Sequence, residues 1–236
     1  MKNITKIAFT AAAVATFAGI ASADVVSMKF LGTGAGQNVK WKLNGGSETG
    51  TFAGQLRHDI TSGTGIGADF VGEHLTFCTD IYQYVSGSYK TFDIVALDTA
   101  PNSNPMGLGR AQALYDVFSV YTDSAMVAGI NNEFAAAFQV AIWEIVTDYN
   151  AGTGLASINI DSGNFKLTKV NGSSSRTSAF NGYLADIFGT IGANASANLV
   201  ALSSGSAQDQ LYYVPAPGPL ALAGAGMFMM ARRRRA

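Results

Sequence analysis

Between Asp24 and Tyr213 the apolar positions keep two periods, and the change of period divides the chain. The first part alternates. Val25–Leu31 is apolar and β-branched enough for a strand. Val39–Leu43 alternates apolar and polar residues, and Asn44-Gly45-Gly46 turns it toward a hairpin partner over Gly50–Leu56. Glu73–Tyr82 predicts a further strand, with Leu75, Phe77, Thr79 and Ile81 on one face and His74, Thr76, Cys78 and Asp80 on the other. Tyr89–Leu97 predicts another. The middle shifts to the helical period over Gly109–Tyr121 and, more strongly, over Phe134–Tyr149. There Phe134, Phe138, Ile142, Ile145 and Tyr149 form one stripe. Asn131 or Asn132 caps that helix, and Asn150 with Gly152 ends it. Strand signals return over Ile158–Val170, with Ser162-Gly163-Asn164 as a turn. Asn171–Ser178 is a polar loop, Ala179–Phe188 a short helix and Gln210–Val214 a last strand. Gly32-Thr33-Gly34-Ala35-Gly36 predicts a surface turn, since no lysine or helix follows to make it a phosphate loop. The expectation is an α+β, β-rich fold: a β-barrel or β-sandwich with a helical insertion at about 107–150, forming one domain over 24–213.

Both ends follow other rules. Lys2 and Lys6 precede an apolar, Ala-rich run from Ile7 to Ile20. Ala21-Ser22-Ala23 is an A-x-A site, so residues 1–23 predict a secretory signal peptide cut after Ala23. At the other end, residues 214–236 run Val214-Pro215-Ala216-Pro217-Gly218, then an uncharged apolar stretch, then Arg232, Arg233, Arg234 and Arg235. The stretch is short of the ~20 residues of a comfortable spanning helix, and the arginine block holds its end on the cytoplasmic side. This three-part order resembles the PEP-CTERM sorting signal of bacterial exported proteins. Ala216 stands where that family usually has Glu. The resemblance implies an exosortase-type sorting protease as partner, transient inner-membrane insertion by the tail, and final residence on the cell surface or in the extracellular matrix. An ordinary C-terminal anchor is the alternative.

Charge narrows the function classes. Asp24–Tyr213 holds nine Lys and Arg against sixteen Asp and Glu, a net charge of −7. With no basic patch of interleaved aromatics, it predicts no nucleic-acid partner. Cys78 is the one cysteine, so no intramolecular disulfide is available. Two separated histidines, His58 and His74, predict no metal site.

The remaining chemistry sits in Phe77-Cys78-Thr79-Asp80 and Phe138-Gln139-Val140-Ala141-Ile142-Trp143. These segments resemble the two signature motifs of the thioester domains of bacterial surface adhesins, over roughly residues 75–150. The resemblance implies an internal thioester between Cys78 and Gln139, with Phe77, Phe138 and Trp143 shielding it and Thr79 and Asp80 orienting it. An apolar shell is what such a bond needs, because water would hydrolyse it. The bland reading of the same residues makes Cys78 a small core side chain and Gln139 a hydrogen-bonded one. Glu144 and Asp148, like charges on one helix face, read as solvated. A Cys78–His74 nucleophilic pair lacks an oxyanion donor and a third residue. The expectation is a non-enzymatic exported protein without cofactor. It attaches through the thioester to surface-protein amines or extracellular polysaccharide, or else serves as a non-reactive structural protein of an exopolysaccharide matrix.

Overall fold

The computed structural model describes residues 24–214. Seven strands and three α-helices follow one another as β1 (Val25–Leu43), β2 (Thr49–Gly63), β3 (Gly72–Cys78), β4 (Lys90–Val95), α1 (Gly107–Ala125), α2 (Asn132–Asp148), β5 (Phe165–Val170), α3 (Ser178–Phe188), β6 (Leu199–Ser204) and β7 (Ala207–Tyr213). All pairings are antiparallel, in the order β2-β3-β7-β6-β4-β1-β5. Because β1 also pairs with β2, six of the strands close a ring and β5 extends it beside β1. The fold is thus β-rich α+β.

The length of β1 makes this topology. Its start, Val25–Met28, lies between β4 and the end of β2. Its far end, Val39–Leu43, lies between the start of β2 and β5. The glycine-rich segment expected as a surface turn is instead the middle of β1. Register shifts at Phe30/Gly32 and Thr33/Gly36 let the strand bend there without leaving its partner. Gly36 and Gly54, paired across β1 and β2, are closed to any side chain. At Gly36 (φ +158°) an added Cβ would sit 2.3 Å from the Ala53 carbonyl oxygen. At Gly54 (φ +149°) it would sit 2.2 Å from that of Ala35. The glycines serve backbone approach inside a sheet, a use that local pattern does not separate from a turn.

Other boundaries moved. The strand expected over Glu73–Tyr82 stops at Cys78, where the chain turns into a loop. The segment Ile158–Val170 is strand only from Phe165. The hairpin partner Gly50–Leu56 is part of the longer β2, and β6 had no separate signal.

Two apolar cores result. The smaller lies inside the ring and takes Val26 and Met28 from β1, Ile60 from β2, Phe92 from β4, Leu202 from β6 and Tyr212 from β7. The larger lies between the sheet and the helices. Its centre is α2, which is buried from Phe134 to Val146 on every face rather than along one stripe. Sheet strands, α1 and α3 all pack on it, and a helix apolar all round is one that belongs inside. Its ends are tied. The Asn131 side chain accepts the backbone N–H groups of Glu133 (2.8 Å) and Phe134 (3.1 Å). At the other end Arg110 of α1 donates to the carbonyls of Thr147 (2.8 Å) and Tyr149 (3.0 Å).

Candidate functional site

Strand direction decides what Cys78 can meet. The neighbouring Thr79 N–H donates to the Asp209 carbonyl of β7 (3.0 Å). Backbone groups alternate sides along a strand, so those of Cys78 face away from β7. On that side β2 pairs with β3 only as far as Leu56 opposite Thr76. Beyond it β2 diverges, with Gly54 held against β1. The side chain of Gln139, reaching in from α2, fills the vacated place. Cys78 N–H donates to Gln139 Oε1 (2.9 Å), and Gln139 Nε2 donates to the Cys78 carbonyl (2.8 Å). One side-chain amide thus completes the ladder where the neighbouring strand has left, joining residues 61 apart in sequence.

The Cys78 sulfur donates to the Asp80 carbonyl oxygen (3.1 Å). Phe77 and Phe138 pack ring to ring at 4.9 Å, and Phe118 meets Phe138 edge-on at 5.2 Å. Cys78, Gln139 and these aromatics are all buried. Burial pushes the Cys78 thiol far above its ordinary range. The Trp143 side chain, whose indole N–H has no nitrogen or oxygen partner, lies near enough to the sulfur to oppose that shift. The Asp80 and Asp209 carboxylates raise it further. The sulfur is therefore a neutral thiol at ordinary pH.

The structure brings Phe77, Phe138 and Trp143 together around Cys78 and Gln139, but gives the two orienting candidates other work. The Thr79 hydroxyl donates to the Asp209 carbonyl (3.3 Å). Asp80 meets the sulfur through its backbone, while its carboxylate accepts from Tyr82 N–H (2.7 Å) and the Ser103 hydroxyl (3.1 Å). His74 lies elsewhere, between the Phe70 carbonyl (2.8 Å) and the Tyr212 hydroxyl (3.3 Å). Among the described residues no group of three or more His, Cys, Asp and Glu could hold a metal ion, and no helix is long and apolar enough to cross a membrane. Of the sorting-motif residues, Val214 ends the described chain, its N–H bonded to the Asn198 carbonyl (2.7 Å). Ala21, Ala23, Pro215, Pro217, Gly218 and Arg232 to Arg235 lie outside the described residues.

Neither a known family, nor a curated protein, nor a solved structure matches this chain.

Three supporting side chains had no sequence signal. Asp209 of β7 is buried and accepts from Asn102 N–H (2.6 Å), the Ser203 hydroxyl (2.9 Å) and Ser204 N–H (2.7 Å). Gln208 donates to the carbonyls of Asp80 (3.0 Å) and Gln83 (2.8 Å), fixing the loop that follows Cys78. Gln55 of β2 donates to the carbonyls of Ala125 (2.6 Å) and Val127 (2.8 Å), tying the end of α1 to the sheet. Each is a polar residue in an ordinary strand setting, and only its partners from distant segments reveal its use.

Glu144 also departs from expectation. It is fully buried rather than solvated. One carboxyl oxygen accepts from Asn159 N–H (2.7 Å) and the other has no partner. Burial raises its pKa from 4.5 to about 8, with Asp148 and Asp161 adding to the shift. The folded state thus holds a proton that the unfolded chain releases above about pH 4.5. This contribution to stability is complete below that pH and is lost as pH rises toward 8, by up to about 1.4 kcal/mol per pH unit. Glu144→Gln should be less sensitive than wild type to a rise from pH 6.5 to 8 in urea melts. Parallel curves for the two proteins would show that Glu144 is ionised in the native state.

Proposed function

We propose that this chain is an exported bacterial surface or matrix protein in which Cys78 and Gln139 condense to an internal thioester. The observation that carries the reading is the pairing of a buried helix glutamine's amide with the backbone N–H and carbonyl of the only cysteine, itself buried in the same core. In the condensation the Cys78 sulfur bonds to the Gln139 side-chain carbonyl carbon and the carbon–nitrogen bond breaks. The thiol proton leaves with the amide nitrogen as ammonia, so no oxidant or cofactor is needed. The Cys78 N–H already donates to the oxygen that would gain charge in the tetrahedral intermediate. A partner's amine would then attack the activated acyl carbon, linking the partner to Gln139 and freeing the thiol. The resemblance of the two motifs to thioester domains supports this reading. The A-x-A site and the Pro-Arg tail support export, exosortase-type processing and transient membrane insertion.

A second reading has its own observation. Both ends of the Gln139 amide are satisfied by Cys78's backbone, which alone explains a glutamine in an apolar core. Under it the protein is a non-reactive structural component of an exopolysaccharide matrix.

Mass separates the two. Protein recovered from its native host should begin at Asp24, lack Arg232 to Arg235 and weigh one ammonia less than the sequence between its ends requires. Methylamine should add once, at Gln139, and release a titratable thiol at Cys78. Cys78→Ala should have full mass and take up no amine. Full mass in freshly folded wild type, with Cys78 reactive only after denaturation, would leave the structural reading standing.

A further inference from the structure

A surface groove of about 370 Å³ lies between the β1–β2 hairpin and the loop Ile81–Tyr84, with Trp143 of the larger core in its lining. We infer that this groove binds a neutral saccharide. The inference rests on the matrix-protein reading for the partner's setting, and on the groove itself for its chemistry.

Its lining contains four aromatics, Trp41, Trp143, Tyr82 and Tyr84, and no charged side chain. That is unusual on a domain of net charge −7. The nearby Glu48 is engaged by Lys40 (3.1 Å) and Lys169 (3.8 Å). An acidic polymer would find no cationic side chain in the lining and would be repelled by the domain as a whole. A cationic ligand would find no carboxylate. What the groove offers is the exposed rings of Tyr82 and Tyr84, with the largely buried Trp41 and Trp143 in its wall, beside amides and hydroxyls from Gln83, Gln208 and the Ser and Thr residues of the hairpin. Sugar rings present the complement: C–H faces that pack on aromatic rings, rimmed by hydroxyls that need donors and acceptors. The volume lies within the usual range of about 300–1,000 Å³ for small-ligand sites.

The exposed aromatics are held in place. Tyr84 is 81% exposed and Tyr82 50%, a costly arrangement for surface with no partner to cover it. Yet their loop is pinned at several points. Gln208 N–H donates to the Tyr84 carbonyl (3.0 Å), the Gln208 side chain donates to the carbonyls of Asp80 and Gln83, and Tyr82 N–H donates to the Asp80 carboxylate (2.7 Å). Trp41 is braced by stacking on Phe165 at 6.4 Å. A pre-formed aromatic platform loses little entropy on binding. The Asp80 carbonyl that accepts from Gln208, a residue of the groove lining, also accepts from the Cys78 thiol.

Affinity electrophoresis of the full chain tests this, through gels cast with hydroxyethyl cellulose, dextran or laminarin, and with alginate as the acidic comparison. At least one neutral polymer should retard wild type, and alginate should not. Tyr84→Ala, at an exposed position, should fold as wild type and bind on the order of tenfold more weakly. Wild-type protein of full mass that is still retarded would keep this inference while refuting the thioester. No retardation by any neutral polymer, equal retardation by alginate, or wild-type binding by Tyr84→Ala would overturn it.

Discussion

Gln139→Glu should fold well in acid and lose several kcal/mol of stability by neutral pH. The change keeps the shape of the side chain and alters only its protons. Wild-type Gln139 accepts from the Cys78 N–H and donates to the Cys78 carbonyl at 2.8 Å. A protonated Glu can do both. An ionised Glu cannot, because its second oxygen would face the carbonyl oxygen as one acceptor against another, in a site closed to water. The folded state would therefore hold the proton, and the variant's pKa would rise above the ordinary value of about 4.3. Stability relative to Gln139 is fully present below that pH and is lost as pH rises through the folded-state pKa. The comparison belongs in a Cys78→Ala background, which retains the backbone groups and prevents any thioester. Urea melts at intervals from pH 4 to 8 should diverge steadily. A difference that stayed constant across that range would mean the Gln139 amide does not pair with residue 78. Gln139→Ala leaves both Cys78 groups unpaired at every pH, at about 1–3 kcal/mol each.

Ile142→Asp should be the most destructive single change on α2, costing about 3–5 kcal/mol or abolishing folding. Ile142 is wholly buried in the larger core, one turn after Phe138 on a helix enclosed on all sides. An aspartate there would lose packing and bury a charge among apolar neighbours. Ile142→Val should cost only about 0.5–1.5 kcal/mol, since it removes one methylene. Denaturation midpoints of the two variants give the comparison directly. Similar, small losses for both would place Ile142 at the surface and contradict the enclosed position of α2.

The helices were legible because their signals are local. Asn131 ahead of the apolar run, and the 3.6-residue spacing of Phe134, Phe138 and Ile142, define α2 without reference to anything distant. Its burial on every face was not legible as such. The run Ala135-Ala136-Ala137 is compatible with an exposed flank or with close packing, and only the layers of sheet and helix around it select the second. Glu144 misled for the same reason. A charged residue at helical spacing reads as solvent-facing until Asn159, fifteen residues on, brings a backbone donor to it.

The sequence by itself determined the β-rich α+β class, the hairpin at Asn44-Gly45-Gly46 and the two motifs worth suspecting, because hydrophobic period and turn chemistry act over a few neighbouring residues. Tertiary structure alone decided the rest. It made the glycine run a strand, since Gly36 and Gly54 matter only when two paired backbones approach closely. It closed the ring, since β1 must be long enough to pair at both of its ends. It put Gln139 against Cys78, because the place beside Cys78 falls open only where β2 leaves β3. Such contacts depend on where distant segments diverge, and that divergence is a property of the whole sheet rather than of any stretch of chain.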